Sequence, residues 1–268
     1  GQQPIIETKS LSKNFGALRA VNDVDLRVQP GQIHSIIGPN GAGKTTLFNL
    51  LNGFLLPTSG RVFFKGSEIT NLPPYAISKQ GIGRSFQITS IFPDLPVFEN
   101  IRIAAQSRTK ASYHFLKSLR SLKSLEEKAN QILRKIGLEE KRDMLARNLS
   151  HGEKRILDIG IGLTTDPSLL LLDEPASGLA KEEISRVIKL VKELVDHITI
   201  ILIEHNIDLV LSISDRITVL HQGSVIADDH PEQIQKNPKV QEAYLDGLVK
   251  SQAASFIKIW LPKLSRPK

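Results

Sequence analysis

The sequence predicts an α/β fold: a mostly parallel sheet covered by helices on both faces, with a helical lobe inserted into it. Three observations carry this. Leu169–Leu172 and Thr199–Ile203 are short, nearly unbroken apolar runs, the pattern of strands buried on both faces. Ile33-His34-Ser35-Ile36-Ile37 is a third buried-strand candidate, and it runs straight into a glycine-rich turn. Between these segments, from about residue 88 to residue 163, helical spacing takes over.

The remaining elements follow in order. Ile5–Leu11, Val24–Val28 and Arg61–Lys65 read as short strands separated by Gly or Pro. A helix is expected from Lys44 to Asn52, with Gly53 as its C-terminal stop. Across Ser121–Gly137, Leu122, Leu125, Ala129, Ile132, Leu133 and Ile136 share one helical face, with Glu and Lys opposite. Ser150 and Glu153 form an S-x-x-E capping box, in which each side chain satisfies a backbone N–H at a helix start. Lys181–His197 is amphipathic, with Ile184, Val187, Ile188, Val191, Leu194 and Val195 on one side. Ile217–Leu220 and Val225–Ala227 are expected to form a hairpin around Gln222-Gly223.

Composition sets limits on this fold and its setting. A length of 268 residues suits one α/β domain carrying an inserted lobe. With no cysteine, a disulfide framework and a thiolate metal site are both excluded. Gly1-Gln2-Gln3-Pro4 contains no apolar h-region, so no signal peptide is read there. No run approaches the roughly 18 apolar residues that span a bilayer. A role at a membrane would need a separate spanning subunit. The net charge is +7, and part of it lies after Asp246 in Lys250, Lys258, Lys263, Arg266 and Lys268. Elsewhere both signs are mixed, so the charge says little about partners.

Gly38-Pro39-Asn40-Gly41-Ala42-Gly43-Lys44-Thr45 fits the phosphate-loop pattern G-x-x-x-x-G-K-[ST] in full. Glycines let the backbone curl so that several N–H groups face phosphate oxygens, and the following helix adds its positive dipole end. Lys44 can reach the β- and γ-phosphates, and the Thr45 hydroxyl can ligate Mg²⁺. The pattern lies between an expected strand and an expected helix, the context that gives it weight. Leu169–Leu172 then delivers Asp173 and Glu174 to the carboxyl end of a strand, where α/β folds bind ligands. Asp173 there can hold Mg²⁺, and Glu174 can orient and deprotonate an attacking water.

Further residues, in a fixed order, narrow the family. Leu149-Ser150-His151-Gly152-Glu153 lies shortly before Asp173 and resembles the signature usually written LSGGQ. Gln87, after Arg84-Ser85-Phe86, is similar to a Q-loop; His205, in Ile203-Glu204-His205, is similar to an H-loop; Phe15 lies upstream of the phosphate loop, the place where the family these motifs resemble puts an aromatic ring under adenine. Over residues 5–248 the chain resembles the ATP-binding cassette (ABC) ATPases of membrane transporters. The resemblance implies a P-loop NTPase fold: a RecA-like core (about 5–87 and 164–248), an antiparallel β subdomain and an inserted helical subdomain (about 88–163). Residues 249–268 would form a C-terminal tail.

What the resemblance implies for the site is specific. ATP would be bound by Phe15, Gly38, Pro39, Asn40, Gly41, Ala42, Gly43, Lys44, Thr45 and Thr46. Mg²⁺ would be held by Thr45, Gln87 and Asp173, and catalysis would fall to Glu174, His205 and Gln87. In a head-to-tail dimer, with itself or with a second ATPase subunit, Ser150, His151, Gly152 and Glu153 would contact the ATP of the partner chain. The implied partners are transmembrane permease subunits and a substrate-binding protein, not nucleic acid. The implied location is cytoplasmic, peripheral on the inner face of the cell membrane.

Some positions depart from the family pattern. His151 replaces the first signature glycine and Glu153 replaces the glutamine, adding a negative charge near triphosphate unless capping turns it away. In Ser177-Gly178-Leu179-Ala180, Ala180 stands where Asp is common. The narrower resemblance is to ATPases of branched-chain amino-acid and amide uptake systems. It rests on Gly81-Ile82-Gly83-Arg84-Ser85-Phe86-Gln87, Val97-Phe98-Glu99-Asn100-Ile101, and the segment Pro238-Lys239-Val240 through Ala243-Tyr244-Leu245. His151 is similar to urea-type members. Lipopolysaccharide-export ATPases share much of this pattern and stay as an alternative, as does a soluble non-transport ABC ATPase. Coupling to membrane subunits is expected near Gln87 and Ile91–Asn100. The tail, with Phe256, Ile257, Ile259, Trp260 and Leu261 among lysines, reads as a frayed end or as a membrane or subunit contact.

Overall fold

A computed structural model describes residues 2–85, 91–106 and 119–248. The chain divides into two compact units: Gly1–Asn71 with Leu202–Lys268, and Leu72–Ile201.

The first unit contains a four-stranded antiparallel sheet. Its strands are β1 (Ile6–Phe15), β2 (Leu18–Val28), β4 (Ser59–Phe64) and β5 (Ser67–Glu68), in the order β2-β1-β4-β5. Ile6, Leu11, Val21, Val24, Leu26 and Val28 are buried, while the polar residues between them reach solvent except Thr8, which is buried and hydrogen-bonds to the Val24 carbonyl. β1 and β2 run further than their apolar residues suggest. Ser10 (φ 47°) and Asp23 (φ 50°) adopt left-handed backbone, and the pairing shifts register beside them. Such bulges hide a strand, because alternation is lost on either side of them.

The same unit holds β3 (Ile33–Ile37), which pairs in parallel with β9 (Arg216–His221). β9 pairs antiparallel with β10 (Ser224–Asp229). Gln222 (φ 49°) and Gly223 (φ 82°) are both left-handed, as the tight two-residue hairpin turn requires. Among its described residues the unit also holds helices α1 (Lys44–Leu51), α7 (Ile207–Ile213), α8 (Pro231–Lys236) and α9 (Pro238–Leu248). Ile37, Val210, Ile217, Val219, Ile234 and Val240 form one buried cluster, against which Tyr244 packs. The C-terminal helices are therefore part of the core that backs β3.

The second unit begins with α2 (Pro74–Lys79) and β6 (Ile82–Arg84). It continues through α3 (Val97–Gln106), α4 (Leu119–Lys135), α5 (His151–Leu163), β7 (Leu169–Asp173) and α6 (Lys181–Val195). β6 and β7 pair in parallel, Arg84 opposite Leu171. The apolar stripe expected on the long middle helix is buried at Leu125, Ala129, Ile132, Leu133 and Ile136. A Cβ on Gly160 of α5 would lie 2.6 Å from the Ile136 Cδ1, so this glycine leaves room for the side chain that follows α4. The Asn100 amide ties down the loop before α3, accepting from the Phe92 N–H (2.7 Å) and donating to the Phe92 and Pro96 carbonyls (3.1 and 3.0 Å). The chain crosses between units inside β8 (Thr199–Ile203). No described helix is long and apolar enough to cross a membrane.

Candidate active site

In the first unit, β3 ends at Ile37 and the chain turns through Gly38–Gly43 into α1. Two glycines are needed here for space as well as for torsion. A Cβ on Gly38 would sit 2.2 Å from the Leu220 carbonyl oxygen, and one on Gly43 would sit 2.2 Å from that of Ala20. Backbone from β9 and β2 thus walls the loop. The Gly223 N–H of the hairpin turn donates to the Ala42 carbonyl at 3.0 Å. From α9, the Tyr244 hydroxyl hydrogen-bonds with the Gly38 backbone; burial pushes its pKa up, and that bond works in the opposite direction.

Lys44 is buried and donates to the carbonyls of Gly38 (2.8 Å) and Pro39 (3.0 Å), so its ammonium folds back over the loop. α1 starts at Gly43 with no side-chain cap and no acidic residue in its first turn. A helix start of this kind presents its positive dipole end to an outside anion. Asn40 and Thr45 are exposed beside it. Phe15, at the end of β1, is 47% exposed, so it is not a core residue; its ring lies 5.3 Å from the Lys13 ammonium. His205 is exposed between β8 and α7, and its N–H donates to the Glu204 carboxylate (3.2 Å).

The second unit carries the acidic residues and the signature. Asp173, at the end of β7, is buried, with one carboxylate oxygen 3.6 Å from the Arg84 guanidinium. Burial works against the Arg84 charge, while Asp173 and then Asp158 support it. Glu174 follows in left-handed backbone, φ 50°, a conformation that L-residues with side chains seldom hold without outside restraint. Arg155 of α5, itself buried, donates to the Glu174 carbonyl at 3.1 Å.

Ser150 is the N-cap of α5, and the capping box is complete: Glu153 N–H donates to Ser150 Oγ (3.3 Å), and Ser150 N–H donates to the Glu153 carboxylate (3.1 Å). Lys141 also reaches that carboxylate, at 2.6 Å. Burial alone would raise the Glu153 pKa; Lys141, the Ser150 N–H and Arg186 together bring it below the ordinary value. Its charge is therefore answered within the chain. His151 is exposed and Gly152 is buried. A single Glu183 oxygen accepts from both Ser150 Oγ (2.8 Å) and Gly152 N–H (2.9 Å). Gln87, with Phe86 before it, lies outside the described residues, as does the basic tail 249–268.

The contacts of three residues at these positions escaped the sequence reading: Arg155, Glu183 and Tyr244, the last read only as part of the C-terminal segment. Arg155 had a usable signal, a charged residue that with Asp158 interrupts the apolar run Ile156, Leu157 and Ile159. Glu183 and Tyr244 had none in a single chain, because their partners lie far away in sequence.

The family profile described as "ABC transporter" matches residues 21–177. The chain belongs to the ABC transporter family. A second profile, "Branched-chain amino acid ATP-binding cassette transporter", matches residues 224–245 of this ABC cassette, the stretch from β10 into α9. Among curated relatives, the high-affinity branched-chain amino acid transport ATP-binding protein LivG of Escherichia coli K12 is 41% identical over 250 residues, covering 91% of this chain and 98% of LivG. A solved ABC transporter cassette in its ADP conformation aligns with a TM-score of 0.82 at 33% identity, over 91% of this chain and 99% of that one. The dimeric structure of a bacterial ABC transporter cassette aligns at 0.71 and 25% identity, over 84% and 98%.

The residues of this ABC ATPase fit the groups that its family uses. The uncapped, glycine-walled loop suits a polyphosphate. Among the described residues no cluster of three or more His, Cys, Asp or Glu side chains could cage a metal.

Proposed function

We propose that this chain powers the uptake of branched-chain amino acids by hydrolysing ATP for separate membrane subunits, working as one half of a head-to-tail pair of cassettes on the inner face of the membrane. The observation that supports the cargo is the 41% identity to LivG across nearly the full length of both chains. In this reading Lys44 and the loop backbone bind the phosphates, and Phe15 stacks on adenine. Glu174 orients the attacking water and takes its proton, while His205 and Gln87 contact the reacting phosphate. Thr45, Asp173 and Gln87 would hold Mg²⁺, which neutralises phosphate charge. Ser150 and Gly152 would bind the ATP of the partner chain. Exposed Phe92, on the loop before α3, belongs to the stretch expected to meet the membrane subunits.

The test is reconstitution. Purified with its membrane subunits in vesicles, the chain should support ATP-dependent accumulation of labelled leucine, and leucine with its binding protein should stimulate hydrolysis. Accumulation of urea but not leucine would move the cargo to the amide class suggested by His151. Hydrolysis that responds to neither would overturn the uptake reading. For the two-chain site, Ser150→Arg should abolish hydrolysis while nucleotide binding by the single chain stays intact.

A further inference from the structure

We propose that Glu183 is an internal ligand of the signature: its carboxylate holds Ser150 and Gly152 in the nucleotide-free chain, competes with the partner's ATP for them, and so sets the ATP concentration at which two cassettes join. The inference rests on the two-chain reading given above. Its basis is geometric. One Glu183 oxygen accepts from Ser150 Oγ at 2.8 Å and from Gly152 N–H at 2.9 Å. The other accepts from the Ala180 N–H at 3.3 Å, at the start of α6. The start of α5, already capped by Ser150 and Glu153, and the start of α6 thereby share one carboxylate, which lies at the positive end of both helices.

The contact also accounts for a glycine. A Cβ at Gly152 would lie 2.8 Å from the Glu183 Cβ and 3.0 Å from its Cγ, so no larger residue lets this side chain lie across the helix start. Hydrogen bonds from Gly152, Ser150 and Ala180 lower the Glu183 pKa, which keeps the group ionised. A phosphate oxygen is a second anion seeking the same two donors. Two anions at one pair of donors repel, so the carboxylate must swing out before phosphate can enter. Glu183 is partly exposed, which leaves it room to do so.

The experiment uses the full chain carrying Glu174→Gln, to block turnover, alone and with its co-purified membrane subunits. Dimer formation is followed by sedimentation as ATP is titrated. Adding Glu183→Ala should lower the ATP concentration at half-dimerisation by about two- to fivefold, the range expected for a charge at a helix terminus. Glu183→Gln keeps an accepting oxygen without the charge and should shift the midpoint the same way by less. It also guards against loss of fold in the alanine variant. ATP affinity of the single chain should not change in either. If the parent dimerises and neither variant lowers the midpoint, the proposal is wrong and the two-chain site survives. If the parent never dimerises, the two-chain reading fails and this proposal falls with it.

Discussion

Arg155 offers the sharpest test of how Glu174, the proposed catalytic carboxylate, is held. Glu174 sits in left-handed backbone at φ 50°, which costs a side-chain-bearing residue roughly 1–2 kcal/mol. Its carbonyl receives one hydrogen bond from the Arg155 guanidinium at 3.1 Å. Arg155 is 7% exposed, and its second terminal nitrogen has no hydrogen-bond partner among the described residues. A buried bond from a charged donor contributes about 1.5–3 kcal/mol. Restraint and strain are therefore of similar size, and removing the first frees the second. Arg155→Met, similar in length and uncharged, should let the Glu174 peptide relax and carry its carboxylate out of line. Displacement of a catalytic group by about 1 Å can cost about 10²-fold. We expect kcat to fall by about 10- to 100-fold while ATP affinity, measured by titration, stays within about twofold. Arg155→Lys, which keeps the charge but not the reach, should recover only part of the loss. A folded Arg155→Met protein with wild-type kcat would refute the idea that this bond positions Glu174.

Glu174→Gln should retain ATP binding and lose about 10²–10⁴ in turnover, since the amide keeps the shape and cannot take a proton; near wild-type hydrolysis would remove Glu174 from its assigned role. Lys44→Ala should weaken ATP affinity itself, because a charge-assisted contact to phosphate is lost; an unchanged titration would count against the phosphate-loop site. Phe15→Ala should weaken adenine binding by about 1 kcal/mol, the low end for base stacking, and because the ring is 47% exposed, the melting temperature should hardly move. His34 is predicted to make the fold acid-sensitive: burial first, and Arg216 second, lower its pKa from 6.5 to about 3. The unfolded chain takes up this proton below about pH 6.5 and the folded chain does not, so stability is full above that pH and falls by up to about 1.4 kcal/mol per unit below it. Thermal melts between pH 7.5 and 5 should show a shallower slope in His34→Gln; equal slopes would discharge His34 from this role.

Much of this molecule was legible because its signals are local. β3 and β8 have the bounds that their apolar runs suggest, and the Ser150–Glu153 box is formed as written. Gln222-Gly223 is a turn because few other pairs tolerate two left-handed residues in succession. Other parts were hidden for reasons that can be named. The first half of β2 carries Asn22 and Asp23 in a bulged stretch, so nothing alternates there. β6 is three residues long and owes its existence to pairing with β7, nearly ninety residues later. The chemistry divides in the same way. The glycine loop, Asp173 and Glu174 announce themselves by type and order. Arg155, Glu183 and Tyr244 matter only through what they touch, and a single sequence does not list contacts.

The walls of the glycine loop bear on the order in which this protein is made. Gly38 through Lys44 are translated well before Leu220, Gly223 and Tyr244, which close around them. All of Leu72–Ile201 is synthesised in between. A nascent chain therefore carries the phosphate motif through the synthesis of the whole second unit with only the wall that β2 supplies. The hairpin and α9 can close on the loop only once both have emerged. A chain broken anywhere in the second unit would keep every residue of the motif and still lack the surface that gives it shape.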